Sequence, residues 1–118
     1  MNVAEIIAGL PAVSLTPPDP ELYEAVAVSD GYACDMLSLV MTGVKPGQAW
    51  FTILNSMNVV AVAVLADCPL VILTEGVTME QPVIDRAVAQ GVTVLSTQLT
   101  TYQACVRLNE LLHNSGSV

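Results

Sequence analysis

The chain offers few residues that could carry out acid–base chemistry. Asp30 and Asp35 are close in sequence, and two neighbouring carboxylates can act as an acid–base pair. Both also suit the start of a helix, where Asp30 would cap the first turn and Asp35, exposed to solvent, would favour the positive end of the helix dipole. The capping interpretation is the simpler one, and the sequence predicts no catalytic residues. A small enzyme that uses Asp30, Asp35 or Cys34 is the alternative hypothesis.

The cysteines and the single histidine do not form a recognisable metal or disulfide pattern. Cys34, Cys68 and Cys105 are widely spaced, odd in number and never part of a C-x-x-C pair. Each has apolar neighbours in sequence, and free cysteine is among the most buried residue types, so we expect all three in the core. His113 lies near the C-terminal end, where a cation suits the last turn of a helix. We expect neither a metal site nor a cofactor.

Three loops rich in hydroxyl and amide side chains each follow a predicted strand, at 55–58, 74–77 and 96–101. Parallel strands would bring these loops to one edge of the sheet, where ligands bind in α/β proteins. Each loop leads into a helix, whose first N–H groups can bind a phosphate without Lys or Arg. The candidate ligand-binding residues are Asn55, Ser56, Asn58, Thr74, Glu75, Gly76, Ser96, Thr97 and Thr100. Helix capping explains the same residue types, and Glu75 would repel a phosphate.

The second half of the chain alternates between strands and helices. Strands are predicted at 49–54, 70–74 and 92–95, with a helix after each. Capping boxes at 78–81 and 100–103 precede the last two helices. The residues expected to face inward are Val83, Ile84, Ala87 and Val88 in the first of these helices, and Tyr102, Cys105, Leu108, Leu111 and Leu112 in the second.

Residues 59–66 can be interpreted in two ways. Their valine-rich composition favours a strand, because β-branched residues pack well in sheets. Their position between two strands, with Asn55 and Ser56 as cap candidates, favours a crossover helix. We predict a helix that is buried on all sides, because tertiary context often overrides propensity.

The first half of the chain is expected to add an edge to this sheet. Asn2 and Glu5 form a capping box before a short helix that ends near residues 9–11. A brief strand is predicted at 12–15, a turn-rich segment at 16–20 and a further strand at 26–28. The next helix, which ends at Gly43, is indicated by apolar residues at helical spacing: Met36, Leu37, Val40 and Met41.

Short links between strands and helices indicate parallel βαβ units, so the predicted fold class is α/β. We expect a small parallel-core sheet of three strands flanked by helices, with an N-terminal helix and strand as an addition. The expected organisation is one domain at 1–113 followed by a flexible tail at 114–118.

Composition limits the classes of partner. The 118 residues include eleven acidic and three basic side chains, for a net charge of −8, which disfavours nucleic acid and anionic membranes. There is no P-loop motif and no secretory or membrane-spanning pattern, so we expect a cytoplasmic protein. Apolar residues make up 53% of the chain and charged residues only 12%. So few charges cannot cover the surface, and a homodimer that buries one apolar face is therefore expected.

Four segments of this chain resemble the DRTGG domain family: residues 31–38 with Val40 and Met41, residues 58–63, residues 72–76, and residues 94–97 with 101–104. The resemblance as a whole covers most of the sequence, from about residue 2 to residue 112. Similar domains precede the catalytic part of HPr kinase/phosphorylase, lie beside CBS domains in regulated pyrophosphatases, and occur in some phosphotransacetylases. Others are free-standing, including some encoded near iron hydrogenase genes.

The resemblance implies an α/β fold like that of the HPr kinase N-terminal domain, often dimeric, that acts as a regulatory or assembly module. One departure is that Thr74-Glu75-Gly76 replaces the usual Thr-Gly-Gly turn, which weakens the case for an anion site. We also expect any catalytic domain to be carried by a separate protein partner. The two functional hypotheses are therefore a non-catalytic domain that acts as a homodimer through protein contact, and a sensor of a nucleotide or small phosphorylated metabolite.

Overall fold

The computed structural model describes residues 1–115. Within that part of the chain there are six helices and five strands. In chain order they are α1 (Val3–Gly9), β1 (Ala12–Ser14), α2 (Pro20–Ala25), β2 (Asp30–Ala33), α3 (Leu37–Gly43), β3 (Gln48–Thr52), α4 (Met57–Leu65), β4 (Leu70–Leu73), α5 (Gln81–Ala89), β5 (Thr93–Thr97) and α6 (Thr101–Ser115).

The five strands form one mixed sheet in the order β1-β5-β4-β3-β2. Strands β2 to β5 are parallel, and only β1 runs antiparallel, with Ala12 opposite Thr97. The predicted fold class is therefore confirmed, as is the N-terminal helix and strand addition, which is α1 and β1. The parallel part of the sheet has four strands rather than the expected three, because β2 joins it at the edge opposite β1.

Helices cover both faces of the sheet and create two apolar cores. Strand β4 is buried throughout, with Val71 and Leu73 facing the core beneath α3, α4 and α5. Leu70 and Ile72 face the other core, beneath α1 and α6. Trp50 and Phe51 of β3 divide in the same way, because successive side chains of a strand point to opposite faces. A sheet covered on both faces explains the continuous apolar run in β4.

Helix α4 confirms the helical interpretation of residues 59–66, but it is not buried on all sides. Val59, Val60, Val62 and Ala63 face the core, whereas Val64 and Leu65 are exposed. The sheet contacts only the inner side of the helix, and the described residues place nothing over its outer side. Apolar composition alone therefore overstates how much of this helix is buried.

The segment before β2 differs most from the sequence prediction. Residues 26–28 are not a strand, and an unpredicted helix, α2, precedes them. Val26 and Val28 are buried against the core beneath α1 and α6, which accounts for their alternation with small residues. Strand β2 begins instead at Asp30. Its Gly31 leaves room for α6, because a Cβ there would lie only 3.0 Å from the Phe51 ring and 3.3 Å from Leu108.

Two of the three predicted capping boxes are present. Asn2 and Glu5 bond reciprocally at the start of α1, as do Thr100 and Gln103 before α6. The box predicted at 78–81 is wrong: α5 begins after Glu80, which makes no side-chain cap bond. Pro82 lies in the first turn and favours this later start.

Two residues predicted to face inward point outward. Tyr102 is 79% exposed and Val88 is also exposed. Ala104 and Leu108 define the buried side of α6, and a residue two positions from Ala104 lies roughly 200° away around the helix. In α5, Val83, Ile84 and Ala87 fill the contact with the core, which leaves Val88 at its margin. Cys105, Leu111 and Leu112 are half-buried against the core, in agreement with the prediction.

Of the tail predicted at 114–118, residues 114 and 115 belong to α6, and 116–118 lie outside the described residues. None of the helices described is both long enough and apolar enough to cross a membrane.

Candidate functional site

The carboxyl ends of β2, β3, β4 and β5 meet at one edge of the sheet, because the four strands are parallel. The loops that follow these strands therefore lie side by side, and we call this region the carboxyl edge. It comprises residues 34–36, 53–56, 74–80 and 98–100. All nine candidate ligand-binding residues lie in these loops, at the last two positions of β5 or at the start of α4.

The loops after β4 and β5 are tied together by hydrogen bonds. The Glu75 and Gly76 N–H groups donate to the Leu99 and Thr97 carbonyl oxygens, at 2.8 and 3.0 Å. The hydroxyl oxygens of Thr74 and Thr101 lie 2.6 Å apart. The structure thus brings Thr74, Glu75, Gly76 and Thr97 together, but their polar groups bind each other.

The Glu75 carboxylate lies at the N-terminus of α6, one of the helix starts at which a bound phosphate was considered. Its carboxylate accepts a hydrogen bond of 2.8 Å from the Thr101 N–H at the first residue of α6. A helix N-terminus favours an anion, and here the chain supplies that anion itself. The expectation that Glu75 opposes phosphate binding therefore has a direct geometric cause at this helix.

The turn that contains Glu75 requires an unusual backbone. Glu75 and Gly76 have φ values of +60° and +73°, and the Val77 N–H donates to the Thr74 carbonyl oxygen at 3.1 Å. Positive φ at both central positions is typical of a type I′ turn, which glycine adopts with least strain. A Thr-Gly-Gly sequence would fit this turn without strain, whereas Glu75 holds a left-handed conformation.

The loop after β3 contributes least to the cluster. The Asn55 side-chain amide donates to the Thr78 carbonyl oxygen at 2.8 Å, which ties this loop to the one after β4. Ser56 is the N-cap residue of α4 but makes no side-chain cap bond. Ser56 and Asn58 are both exposed. These two side chains and the first turn of α4 remain accessible at the carboxyl edge.

Three further candidates serve the fold. The Ser96 hydroxyl donates to the Val77 carbonyl oxygen at 2.7 Å, and the Thr97 hydroxyl donates to that of Leu10 at 2.9 Å. Both side chains are buried. Thr100 accepts the Gln103 N–H as the cap of α6. Helix capping, the alternative interpretation, accounts for the bond of Thr100 but not for those of Ser96 and Thr97, which join β5 to neighbouring segments.

Asp35 also lies at the carboxyl edge, although it was predicted to be a residue of a helix's first turn. Its carboxylate accepts hydrogen bonds from the Thr52 hydroxyl at 2.7 Å and from the Ile53 N–H at 3.0 Å. It therefore joins the end of β3 to the loop after β2 and is not a residue of a helix's first turn. The sequence signal that could have indicated this contact is Thr52, because a threonine at the end of a strand often hydrogen-bonds to a neighbouring loop.

Asp30 does not cap a helix, because it is the first residue of β2. Its carboxylate accepts a hydrogen bond of 2.9 Å from the Gln48 side-chain amide. This bond, with a smaller contribution from the Gly31 N–H, lowers the pKa of Asp30. Asp35 lies beyond the far end of the strand, roughly 10 Å or more away. The two carboxylates therefore do not form an acid–base pair.

The cysteines differ in burial. Cys68 is buried, as predicted, and burial raises the pKa of its thiol. Cys34 and Cys105 are only half-buried, and burial raises the pKa of Cys105 as well. His113 lies in the last turn of α6. Residues 1–115 contain no group of three or more His, Cys, Asp or Glu side chains placed to hold a metal ion.

Comparison with known proteins identifies the fold. A similar solved structure is that of the CBS and DRTGG domains of the regulatory region of Clostridium perfringens pyrophosphatase, in complex with the activator diadenosine tetraphosphate. The match has a TM-score of 0.64 and 15% sequence identity, and it covers 87% of this chain but only 44% of the chain of that regulatory-region structure. No curated protein matches by sequence. The family model of the DRTGG domain matches residues 33–111, and the chain therefore belongs to the DRTGG domain family.

Proposed function

We propose that this protein is a non-catalytic regulatory or assembly domain that acts as a homodimer through protein–protein contact. The observation that carries this proposal is the number of exposed apolar side chains: eleven large ones among residues 1–115. Scattered apolar residues are normal on a surface, but several here are clustered on adjoining helices. A partner that covers them would remove this area from water, which favours association.

The internal bonding of the carboxyl edge supports the same proposal. Thr74, Glu75, Ser96 and Thr97 hydrogen-bond to other groups of the chain, which favours a structural role for these side chains over a catalytic one. The similar pyrophosphatase region is described as regulatory, and it combines DRTGG with CBS domains. We infer that this domain regulates or assembles with a protein that carries the catalytic domain, and that it does so in the cytoplasm.

The homodimer proposal is tested by unfolding the protein in urea at several protein concentrations. A dimer that dissociates as it unfolds gains stability with concentration, so the midpoint should rise between about 1 and about 100 µM protein. Far-UV circular dichroism measures the transition. A midpoint that is the same at every concentration would contradict the proposal.

A second candidate function is a sensor of a nucleotide or phosphorylated metabolite. It is favoured by the activator bound in the similar pyrophosphatase structure and by the accessible side chains of Ser56 and Asn58 at the start of α4. A ligand at this end of the carboxyl edge would avoid the Glu75 carboxylate at α6. The full candidate set is Asn55, Ser56, Asn58, Thr74, Glu75, Gly76, Ser96, Thr97 and Thr100.

Thermal unfolding with millimolar ATP, AMP or diadenosine tetraphosphate tests the sensor. Binding should raise the unfolding temperature, and replacing both Ser56 and Asn58 by Ala should abolish the increase. The matched control is Asn2→Ala, which alters the cap of α1, outside the carboxyl edge, and should leave the ligand-induced increase in place. The absence of any increase in the wild-type protein would exclude these ligands.

A further inference from the structure

We propose that the homodimer forms through the outer face of α4, with the α4 helix of a second copy packed antiparallel across it. This inference rests on the proposed function, since it specifies which surface the two copies share. We call the surface the α4 face and define it by Met57, Ala61, Val64 and Leu65, all of which are exposed.

The α4 face is a continuous apolar stripe. Met57, Ala61 and Val64 follow one another at intervals of four and three residues, and Leu65 lies four residues after Ala61. This spacing places all four on one side of the helix. Leu65 is 71% exposed, Val64 43% and Met57 40%. Beside them, between α4 and α5, lies a groove of about 340 Å³ whose walls are mostly apolar. A helix from another molecule would fill such a groove with matching side chains.

Helix α3, which lies next to α4, carries further exposed apolar side chains. It packs beside α4 over the same core, and Leu39 and Met41 are exposed along it. Met36, immediately before α3, is exposed as well. Of the eleven exposed large apolar residues described, six therefore lie on α3, on α4 or directly before α3. The other five are spread over the rest of the described chain.

Charge indicates that the occupant is a second copy of this chain. Each copy carries a net charge of −8, so most pairs of faces would bring acidic groups together. Between Lys45 and Asp67 the sequence contains no charged residue at all. Helices α3 and α4 lack charged side chains, whereas α1, α2, α5 and α6 each carry at least one acidic residue. The α4 face itself is uncharged, so two copies can approach across it without opposing acidic groups, and the one charged residue that lines the adjoining groove is the cation Arg86.

An antiparallel arrangement also suits the ends of α4. When the two-fold axis of the dimer runs perpendicular to α4, the helix packs antiparallel against its equivalent, so the C-terminal end of one α4 lies near the N-terminal end of the other. Asp67 is exposed just after α4, and Ser56 at the other end makes no side-chain cap bond. Antiparallel packing brings this carboxylate towards the positive end of the partner's helix, which is favourable. Ala61, the middle residue of α4, then lies close to the symmetry axis.

A charge placed on the α4 face tests the inference. In Leu65→Glu the carboxylate would be buried in the apolar contact, so the dimer dissociation constant should rise at least about 100-fold. Light scattering at a concentration where the wild type is dimeric should then give the monomer mass. The matched control is Tyr102→Glu, which places the same charge at a more exposed residue on the opposite side of the sheet and should leave the dimer intact. Far-UV circular dichroism checks that both variants fold.

Cross-linking tests the geometry independently. Under mild oxidation, Ala61→Cys should form a disulfide between the introduced thiols of two copies, identified by mass spectrometry of the linked peptides. Ala4→Cys, exposed on α1 on the other side of the sheet, should not form this link. A wild-type protein that is monomeric would overturn the proposed homodimer itself. A wild-type dimer that persists in Leu65→Glu, or that is lost equally in Tyr102→Glu, would overturn the α4 face and leave the homodimer standing.

Discussion

At the residue scale, Glu75 places its own carboxylate at the N-terminus of α6, a position that could otherwise bind an anion. The residue has a left-handed backbone, and its carboxylate accepts the Thr101 N–H at the start of α6. These two features oppose each other in stability, because the backbone is strained and the hydrogen bond is favourable. Twenty-six positions separate the partners, so nothing in the local sequence could indicate the contact. That Glu75 would oppose a bound phosphate is a prediction from its charge alone, whereas its hydrogen-bond partner could not be predicted.

Two substitutions of Glu75 separate the backbone from the side chain. Glu75→Ala removes the hydrogen bond but keeps the strained φ, so the free energy of unfolding should fall by about 1 kcal/mol. Glu75→Gly removes the same bond and relieves the strain, so it should be more stable than Glu75→Ala by about 1 kcal/mol. Urea denaturation measures both. Equal stability of the two variants would show that the left-handed backbone carries no cost.

The three cysteines give a second prediction at this scale. Burial raises the pKa of the Cys68 thiol, and the side chain is largely inaccessible. Because the thiolate is the reactive species, iodoacetamide should modify Cys68 more slowly than Cys34 under native conditions. Mass spectrometry of the modified peptides gives the order, and all three cysteines should react at similar rates in denaturant. Faster native modification of Cys68 would show that the core opens readily around it.

At the scale of elements, capping chemistry was predictable where both partners lie within one turn. The boxes at Asn2 and Thr100 follow from residues three positions apart. The capping box predicted at 78–81 was wrong, because Pro82 favours a helix that begins a few residues later, at Gln81. Strand β2 was missed because Asp30 and Gly31 are unfavourable in strands, and only pairing with β3 places them there. Long-range pairing overrode local preference in this part of the chain.

Two substitutions at helix starts test this distinction. Asn2→Ala removes a capping box, so it should lower the free energy of unfolding by about 1 kcal/mol. Ser56→Ala alters an N-cap residue that makes no side-chain cap bond, so the change should stay within about 0.5 kcal/mol. Chemical denaturation compares the two. A loss at Ser56 as large as the loss at Asn2 would assign a structural role to a residue now proposed for ligand contact.

At the scale of the whole molecule, the sequence predicted the chemistry of the surface better than its geometry. The low charged fraction indicated that apolar area would be exposed, and eleven large apolar side chains in the described residues bear this out. The position of that area could not be predicted, since α4 was expected to be buried on all sides. Only the packing of α4 against one face of the sheet shows which of its residues are left uncovered.

The most direct test of the proposed function is the mass of the wild-type protein in solution. Sedimentation equilibrium at micromolar concentration and physiological ionic strength measures it without assumptions about molecular shape. If the domain acts as a homodimer, the mass should be twice the 12.4 kDa of a single chain. A mass of 12.4 kDa over the whole accessible concentration range would contradict the proposal.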